Sequence, residues 1–298
     1  MLPPRHTPYD GSSKLFRIGL KPLDLAEWID VDDRLNDYLA EKARLLAARP
    51  SEVFAAETGS EAAQEEVLSL LLQHLPKRFP AIYRRDGNVL HVGTDRSIRL
   101  EDGGPSLLTA ARLVQEDLLL LRRDESGWRL VAGSLSFPSS WALADKMGRN
   151  MDAIHGPVPG FGEGTRNAEL INRMFDSMRP ETPMLRWNWS LYGDDRLFHP
   201  ETASAGSRRF GSGPIADPVF LRTERQTLRR LPQSGDILFT VRIGIDPLST
   251  LEQHSRRSQI ATALLTELVA LNDEQLAYKG MTAELDRVLE RLRQLALP

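Results

Sequence analysis

The sequence predicts an α+β fold, and three observations support this prediction. Helical patterns open the chain, short strands joined by turn residues fill its middle, and helical patterns close it. Strands that follow one another through tight turns pair antiparallel, whereas a parallel sheet needs a crossover connection after each strand. With 298 residues, the chain is long enough to bury a substantial core without disulfides. We therefore expect one antiparallel sheet with flanking helices.

The N-terminal region is predicted to hold two helices after a proline-rich lead. Apolar residues recur at helical spacing from Val31 to Ala48, and Pro50 follows as a stop signal. Thr58 and Glu61 have the spacing of a capping box, which predicts a second helix that runs to His74. At the end of that helix, His74 is expected to be a partner of the helix dipole.

The next part of the chain is predicted to form strands. Turn residues between alternating segments indicate a hairpin over residues 81–92, a strand at 97–100 and a second hairpin over residues 117–137. A short helix is expected at residues 107–113. The leucine-rich start of the second hairpin predicts a central, buried strand.

A longer helix is predicted from Pro138 to His155. Its larger side chains recur every three or four residues, at Trp141, Ala144, Met147, Met151 and Ile154. The Gly-Pro-Val-Pro sequence that follows stiffens the backbone, so the histidine at the helix end is expected to face partly inward. Such a ring can offer one nitrogen to a metal or cofactor while an acceptor holds the other. A packed, hydrogen-bonded core histidine is the alternative interpretation.

Two later segments are predicted to carry polar groups on one face of a sheet. After a helix near residues 167–178, the segment MLRWNWSLY predicts a strand at 184–192, because its aromatic and polar residues alternate. Strands are also expected at 220–231 and 236–245, after a Gly/Ser/Pro-rich surface loop at 199–214 that could order over a site. The polar residues of these faces are Arg186 and Asn188 on the first strand, and Arg222, Glu224 and Gln226 on the second. They form either part of a site or an Arg–Glu pair that braces the sheet.

The end of the chain is predicted to be a helical hairpin. Ser249 and Glu252 have capping-box spacing and precede a long helical pattern. We expect a tail at residues 1–19, a sheet domain with its N-terminal helices at 20–248, and a hairpin at 249–298 packed on the same domain, because no linker marks a boundary. The amphipathic hairpin either covers its own sheet or joins two copies in a homo-oligomer.

Composition excludes several classes of function. The net charge of −3 predicts no nucleic-acid partner, and no apolar run approaches the length of a membrane span. Because the chain has no cysteine, it cannot hold an iron–sulfur cluster, a thiolate-ligated haem or a Cys-bound zinc ion. We expect a cytoplasmic protein whose ligands, if it binds a metal, are nitrogen or oxygen atoms.

Local motifs for common enzyme classes are also missing. The segment Gly160–Gly164 lacks the preceding strand of a phosphate-binding loop, and no nucleophile elbow is present. The six histidines make no pair at helix spacing. His155, with the polar strand faces, is therefore the main candidate for chemistry.

Five segments, in this order, resemble the haem-dependent oxidative N-demethylase family, specifically its alpha subunit. They are GSLSFPSSW, then Lys146-Met-Gly, then IHGPVPGF, then PMLRWNWSLY, and then LRTERQTLRRLPQSGDILFTVR. The resemblance runs from about Leu20 to about Leu248, and several ordered segments make it more specific than one motif.

The resemblance implies a PAS-like haem-binding fold and haem b with a histidine axial ligand. The implied reaction is the oxidation of a secondary amine such as dimethylamine to a primary amine and formaldehyde, using oxygen. Electrons would come from a separate flavin and iron–sulfur reductase subunit, and a folate-binding subunit would take the formaldehyde. The missing cysteines agree with a chain that carries only the haem.

On this chain, the resemblance implies His155 as the axial ligand of the haem iron. Residue types that suit the propionates and faces of the haem are cations and large apolar side chains, namely Lys146, Arg186, Arg225, Met151 and Trp189. Glu224 is a candidate acceptor for the N–H groups of the substrate, and Asn188 or Arg186 a candidate donor toward the oxygen.

Two other functions fit the same sequence. A haem-based sensor would bind oxygen, carbon monoxide or nitric oxide without turnover and pass a change of conformation to the closing helices. A haem-free structural protein would keep the fold without the cofactor. Release of formaldehyde from an amine favours the enzyme, and iron analysis separates the haem-free protein.

Overall fold

The computed structural model describes residues 3–201 and 208–297. Residues 202–207 of the predicted surface loop lie outside the described residues. The elements before the main hairpin are strand β1 (Lys21–Pro22), helices α1 (Leu35–Ala48) and α2 (Pro50–Val53), strand β2 (Phe54–Ala56), helix α3 (Glu61–Arg78), strands β3 (Tyr83–Asp86), β4 (Val89–Val92) and β5 (Arg96–Arg99), and helix α4 (Ser106–Ala111). The predicted helices and strands of this half are confirmed.

The second half contains the long strands. Its elements are β6 (Asp117–Asp124), β7 (Gly127–Ser134), α5 (Met151–His155), α6 (Arg166–Ser177), β8 (Met184–Tyr192), β9 (Phe220–Arg230), β10 (Ile237–Pro247), α7 (Arg257–Val269), α8 (Asp273–Tyr278) and α9 (Leu285–Ala296). Among the described residues, no helix has both the length and the apolar character that crossing a bilayer requires.

A seven-stranded sheet is the centre of the fold. Its strand order is β1-β8-β9-β10-β6-β7-β2, and all neighbours pair antiparallel. Strands β3, β4 and β5 form a separate three-stranded sheet. The structure therefore has helices around a large antiparallel sheet, as the sequence predicts.

The two faces of the large sheet are buried in different cores. Leu118 and Leu120 of β6 pack in a core that contains Leu71 of α3. Leu119 and Leu121 point to the other face and pack in a core with Met151 of α5, together with side chains of α6. This alternation along a strand buried on both faces explains its continuous run of leucines.

The predicted helix from Pro138 to His155 is wrong over most of its length. The structure has only a 3-10 turn at Leu143–Asp145 and the five-residue helix α5. Gly148 has a φ of +73°, which ends helical geometry there. The side chain of Asn150 then caps the new helix by accepting a hydrogen bond from the Ala153 amide at 3.0 Å. The predicted position of His155 at the end of a helix is confirmed.

Both predicted capping boxes are also wrong. The residue that precedes α3 is Ser60, and its hydroxyl donates to the Glu57 carbonyl at 2.6 Å instead of accepting from a backbone amide of the helix. Residues 248–253 form a 3-10 helix, and α7 begins later, at Arg257. The C-terminal region, residues 254–297, contains the three α-helices α7, α8 and α9 where two were predicted. Helices α7 and α9 share a core through Leu264 and Leu292.

His74 is packed against aromatic rings, so the predicted interaction with the helix dipole is not its role. Its ring lies edge-on to Trp28, with centroids 5.4 Å apart, and its Nε2 is buried without a hydrogen-bond partner in the described structure. Burial, with nearby Arg229, lowers the pKa of His74 to about 4. The folded protein therefore holds this ring neutral at pH 7.

We expect His74 to make the protein less stable as the pH falls. Its pKa is near 6.5 in an unfolded chain and about 4 in the folded protein, so between these values the unfolded chain binds more protons. The contribution to the free energy of unfolding is present above pH 6.5 and is lost as the pH falls through 4. Because solvent screens this partly exposed ring, the effect is smaller than the full pKa difference implies. Urea unfolding at several pH values should show a decline that is smaller by about 1–2 kcal/mol in His74→Phe. An equal decline in both proteins would contradict this.

Candidate functional site

A cavity lies between the sheet and the helices α5 and α6. Its apolar walls include Leu119 and Leu121 of β6, Met151 of α5 and Phe175 of α6. About 230 Å³ of it is open to the centres of water molecules, and its whole empty space with the mouth is about 1330 Å³. Cofactor sites typically have roughly 300–1,000 Å³. The volume open to water centres is below this range, so a large, mostly apolar ligand would fill the cavity and also occupy its mouth.

One wall of the cavity is a polar patch on the sheet. Asn188 of β8 pairs with Glu224 of β9, and Arg186 pairs with Gln226. All four side chains line the cavity. Because residues two apart on a strand share a face and directly paired residues are neighbours, they form a compact square. The sequence predicted these faces correctly.

His155 lines the cavity from the end of α5. Burial, together with the charges of Lys146 and Arg186, lowers the pKa of its ring to about 4. The imidazole is therefore neutral at pH 7, with a lone pair free to bind a metal. The helix that carries it is held in place by a hydrogen bond from Asn172 of α6 to Asp152 at 3.0 Å.

Two cations lie near this histidine. The ammonium of Lys146 sits 4.2 Å from the centre of the Trp141 ring, and burial lowers its pKa to about 8. Arg186 donates through Nη2 to the Arg17 carbonyl at 3.2 Å, while its buried Nε has no partner in the described structure. A buried donor without a partner is uncommon in folded proteins, and Arg186 is a residue of the cavity wall.

Glu224 is the carboxylate of the cavity, and 8% of its surface is exposed. Its Oε2 accepts a hydrogen bond from Gln226 at 2.6 Å. Burial lowers the pKa values of Lys146, Arg186 and Lys279. The negative charge of Glu224 raises them and so offsets part of that effect. The carboxylate is thus an anion close to these three cationic side chains.

A comparison with known families decides which proteins this chain is related to. The model of the family described as haem-dependent oxidative N-demethylase, alpha subunit-like, matches residues 19–289. The chain belongs to this family. Haem is therefore its cofactor, and its activity is of the haem-dependent oxidative N-demethylase type. As an alpha-subunit-like chain, this demethylase has a partner subunit.

The residues of the cavity fit a haem. Among the described residues, no group of three or more His, Cys, Asp or Glu side chains is placed to hold a metal ion directly. A single neutral imidazole would suit an iron atom whose remaining protein-independent ligands are supplied by a macrocycle. The apolar walls suit the porphyrin faces, and the cationic side chains of Lys146 and Arg186 suit the negative propionates.

The structure brings most of the predicted site residues of the demethylase to this cavity. Those that line it are His155, Lys146, Met151, Arg186, Asn188 and Glu224. Their individual roles stay predictions. Apart from Phe16 and Ile18, the residues that line the cavity lie within the part of the chain that the family model matches.

Arg225 and Trp189 are placed elsewhere. Arg225 points to the opposite side of the sheet and donates to the Trp28 carbonyl at 3.1 Å. Trp189 packs edge-on to Tyr9, with ring centroids 6.4 Å apart, in the core below the C-terminal helices. Both residues are one position away from the polar patch, and a shift of one residue reverses the face. We therefore do not assign them to the haem.

Several residues of the site were missed by the sequence analysis. Phe16, Ile18 and Leu20 reach the cavity from the N-terminal lead, and Tyr278 and Lys279 reach it from the end of α8. These segments come from opposite ends of the chain, so no local spacing could predict that they meet.

Arg222 also has a role that the sequence did not reveal. Its side chain is fully buried and donates to the Ser139 hydroxyl at 2.9 Å. Its other donors go to backbone carbonyls, those of Phe137, Pro138, Leu197 and Arg196. The predicted alternative of an Arg–Glu pair is therefore not what holds this arginine. It instead fixes two connecting segments at the edge of the cavity, one of which carries the cavity residue Ser139.

Proposed function

We propose that this chain is the haem-bearing subunit of an enzyme that removes a methyl group from a small secondary amine such as dimethylamine. The observation that carries the proposal is one cavity in which a neutral imidazole, His155, faces a wall with a carboxylate, Glu224. The imidazole suits an axial ligand of haem b, and the carboxylate suits an ammonium substrate.

The proposed scaffold is PAS-like and includes residues 20–248, with residues 249–298 packed on the same domain. Support comes from the seven-stranded sheet, one face of which carries the cavity under α5 and α6. Leu191 of β8 and Leu264 of α7 also belong to one core, so the C-terminal helices bury sheet residues.

The overall reaction requires oxygen and two electrons. A secondary amine, one oxygen molecule, two electrons and two protons give an N-hydroxymethyl amine and water. Breakage of its C–N bond then yields the primary amine and formaldehyde. A separate reductase of the flavin and iron–sulfur type is the proposed electron donor, because the cysteine-free chain has no ligands for such a cluster.

When bound, the haem supplies the iron centre at which oxygen is reduced. The chain supplies the environment. His155 would hold the iron through its neutral ring nitrogen, and Lys146 and Arg186 would balance the charge of the propionates. The leucine, methionine and phenylalanine side chains of the walls exclude water, which strengthens every charge interaction inside.

The polar patch is proposed to bind and orient the amine. Glu224 accepts a hydrogen bond from the ammonium N–H and can take its proton, which leaves the nitrogen neutral for oxidation. Asn188, directly across from it, or Arg186 donates a hydrogen bond toward the oxygen. Gln226 holds one oxygen of the carboxylate and thereby fixes its orientation.

The purified protein tests this proposal. Haem-loaded protein, given a reductase or a photochemical electron source, should consume oxygen with dimethylamine and release methylamine and formaldehyde in equal amounts. Free haem under the same conditions is the control. Binding of oxygen or carbon monoxide without formaldehyde would instead support the sensor, and protein without iron after expression in iron-rich medium would reject both.

A further inference from the structure

A second, smaller cavity adjoins the first. The two share a wall formed by Ser139, Asn188, Glu224, Tyr278 and Lys279. About 60 Å³ of the smaller cavity is open to the centres of water molecules, which is enough for a small polar group. The side chains that line only this cavity are polar, and they are Ser140, Ser190, Tyr192 and Arg209.

Two cations face this small cavity. The Nζ of Lys279 donates to the Trp189 carbonyl at 2.8 Å and to the Ser190 hydroxyl at 3.0 Å. An ammonium has three donors, so one is left over. The guanidinium of Arg209 donates to the Lys279 carbonyl at 2.8 Å and lies 4.9 Å from the Tyr192 ring centre. Within the described ranges, no carboxylate lies within 4.0 Å of either charged group.

We infer that the substrate carries a carboxylate beside its methylated nitrogen, as an N-methyl amino acid does. Its ammonium would lie on Glu224, and its carboxylate would lie in the smaller cavity between Lys279 and Arg209. This inference rests on the proposed function and narrows its substrate class.

Charge complementarity supports a zwitterion over a simple amine. A dialkylammonium next to Glu224 would also be close to two cations, and like charges in a partly desolvated site repel each other. A carboxylate on the same molecule reverses the sign of that interaction. Burial lowers the pKa of Lys279 to about 8, so most of the molecules carry this charge at pH 7. Tyr278, which forms part of both cavities, would contact the bridge between the two charged ends.

The reaction of such a substrate balances as for a simple amine. N-Methylglycine, one oxygen molecule, two electrons and two protons give glycine, formaldehyde and water, with the electrons supplied by the reductase. The C–N bond to the methyl carbon breaks, and the carboxylate takes no part in the chemistry. It serves only for binding and orientation.

Substrate comparison with the haem-loaded protein tests the inference. We expect the kcat/KM for N-methylglycine to exceed that for N-methylethylamine, which has a similar size and no carboxylate, by at least about tenfold. In Lys279→Met and in Arg209→Met, the ratio of the two kcat/KM values should fall roughly 10- to 100-fold. Lys77→Met, an exposed position of α3, is the matched control and should keep the ratio.

Binding calorimetry provides a measurement that needs no turnover. The Kd of N-methylglycine for the oxidised haem protein should rise in both variants by a similar factor. The carboxylate that binds in this cavity could belong to the substrate or to a haem propionate. The haem content of the variants distinguishes these two cases. Retained haem with a changed ratio supports the substrate carboxylate, whereas loss of haem in Lys279→Met would assign the cation to a propionate and overturn the inference.

The remaining outcomes separate the inference from the proposed function. Formaldehyde from dimethylamine, with no preference for N-methylglycine or with an unchanged ratio in the variants, would overturn the inference and leave the demethylase in place. No formaldehyde from any amine, N-methylglycine included, would reject both.

Discussion

Replacement of His155 by alanine is expected to remove the haem from the purified protein or to shift its Soret band strongly. His155 is the histidine among the described residues that line the cavity. Burial keeps its ring neutral at pH 7, with the pKa lowered to about 4. As the proposed ligand, this imidazole would form the bond through which the chain holds the iron, and no second histidine is among the described residues that line the cavity. Absorption spectra of the oxidised and dithionite-reduced proteins, with iron analysis, measure the effect.

Two controls make this experiment specific. His91→Ala changes a histidine that bonds Ser97 at 2.9 Å in the separate three-stranded sheet, and its spectrum should match that of the unchanged protein. Added imidazole should restore much of the Soret band in His155→Ala, because the free ring can occupy the space left in the cavity. An unchanged haem spectrum in His155→Ala would reject this residue as the ligand.

The polar wall of the cavity could be predicted from sequence because it depends on strand periodicity alone. Residues that alternate along β8 and β9 face the same side, so Asn188 and Glu224 meet once the strands pair. The same rule explains why two predicted haem contacts lie elsewhere. Arg225 and Trp189 have suitable side chains, but they occupy the alternate positions of their strands and therefore face the other side of the sheet. The type of a residue does not predict a contact unless its position along the strand also fits.

The segment before His155 could not be predicted, since its apparent helical pattern has another cause. Met147 and Met151 are four residues apart and both pack in the core below α5, although the glycine between them ends helical geometry. The backbone turns at Gly148, with a φ of +73°, and the short helix α5 begins at Met151 after its cap, Asn150. Periodicity reports which residues are buried, and a chain that folds back can bury the same residues without a helix.

The parts of the site that come from the chain ends have no local sequence signal. Phe16 and Tyr278 contact each other edge-on, with ring centroids 5.9 Å apart, at the cavity wall. The fully buried Arg222 likewise bonds carbonyls of segments that are distant in sequence. Contacts of this kind depend on how the helices pack on the sheet, which a single sequence does not specify.

Replacement of Glu224 by glutamine is expected to reduce demethylation by about 10²- to 10⁴-fold while the haem is retained. The amide has nearly the same shape, but it has no charge to bind an ammonium and cannot accept its proton. Formaldehyde release, at equal haem content, measures the loss. Glu181→Gln, a change at an exposed position before β8, is the matched control and should keep the activity.

The kinetic parameters of Glu224→Gln distinguish binding from proton transfer. If the carboxylate only binds the ammonium in the ground and transition states alike, KM rises and kcat stays the same. If it also accepts the proton that must leave before the nitrogen is oxidised, kcat falls as well. We expect both changes, because the carboxylate lies in the cavity that holds the imidazole, and its one bonded oxygen leaves the other free for the substrate. Full activity at an unchanged KM would show that the amine binds elsewhere.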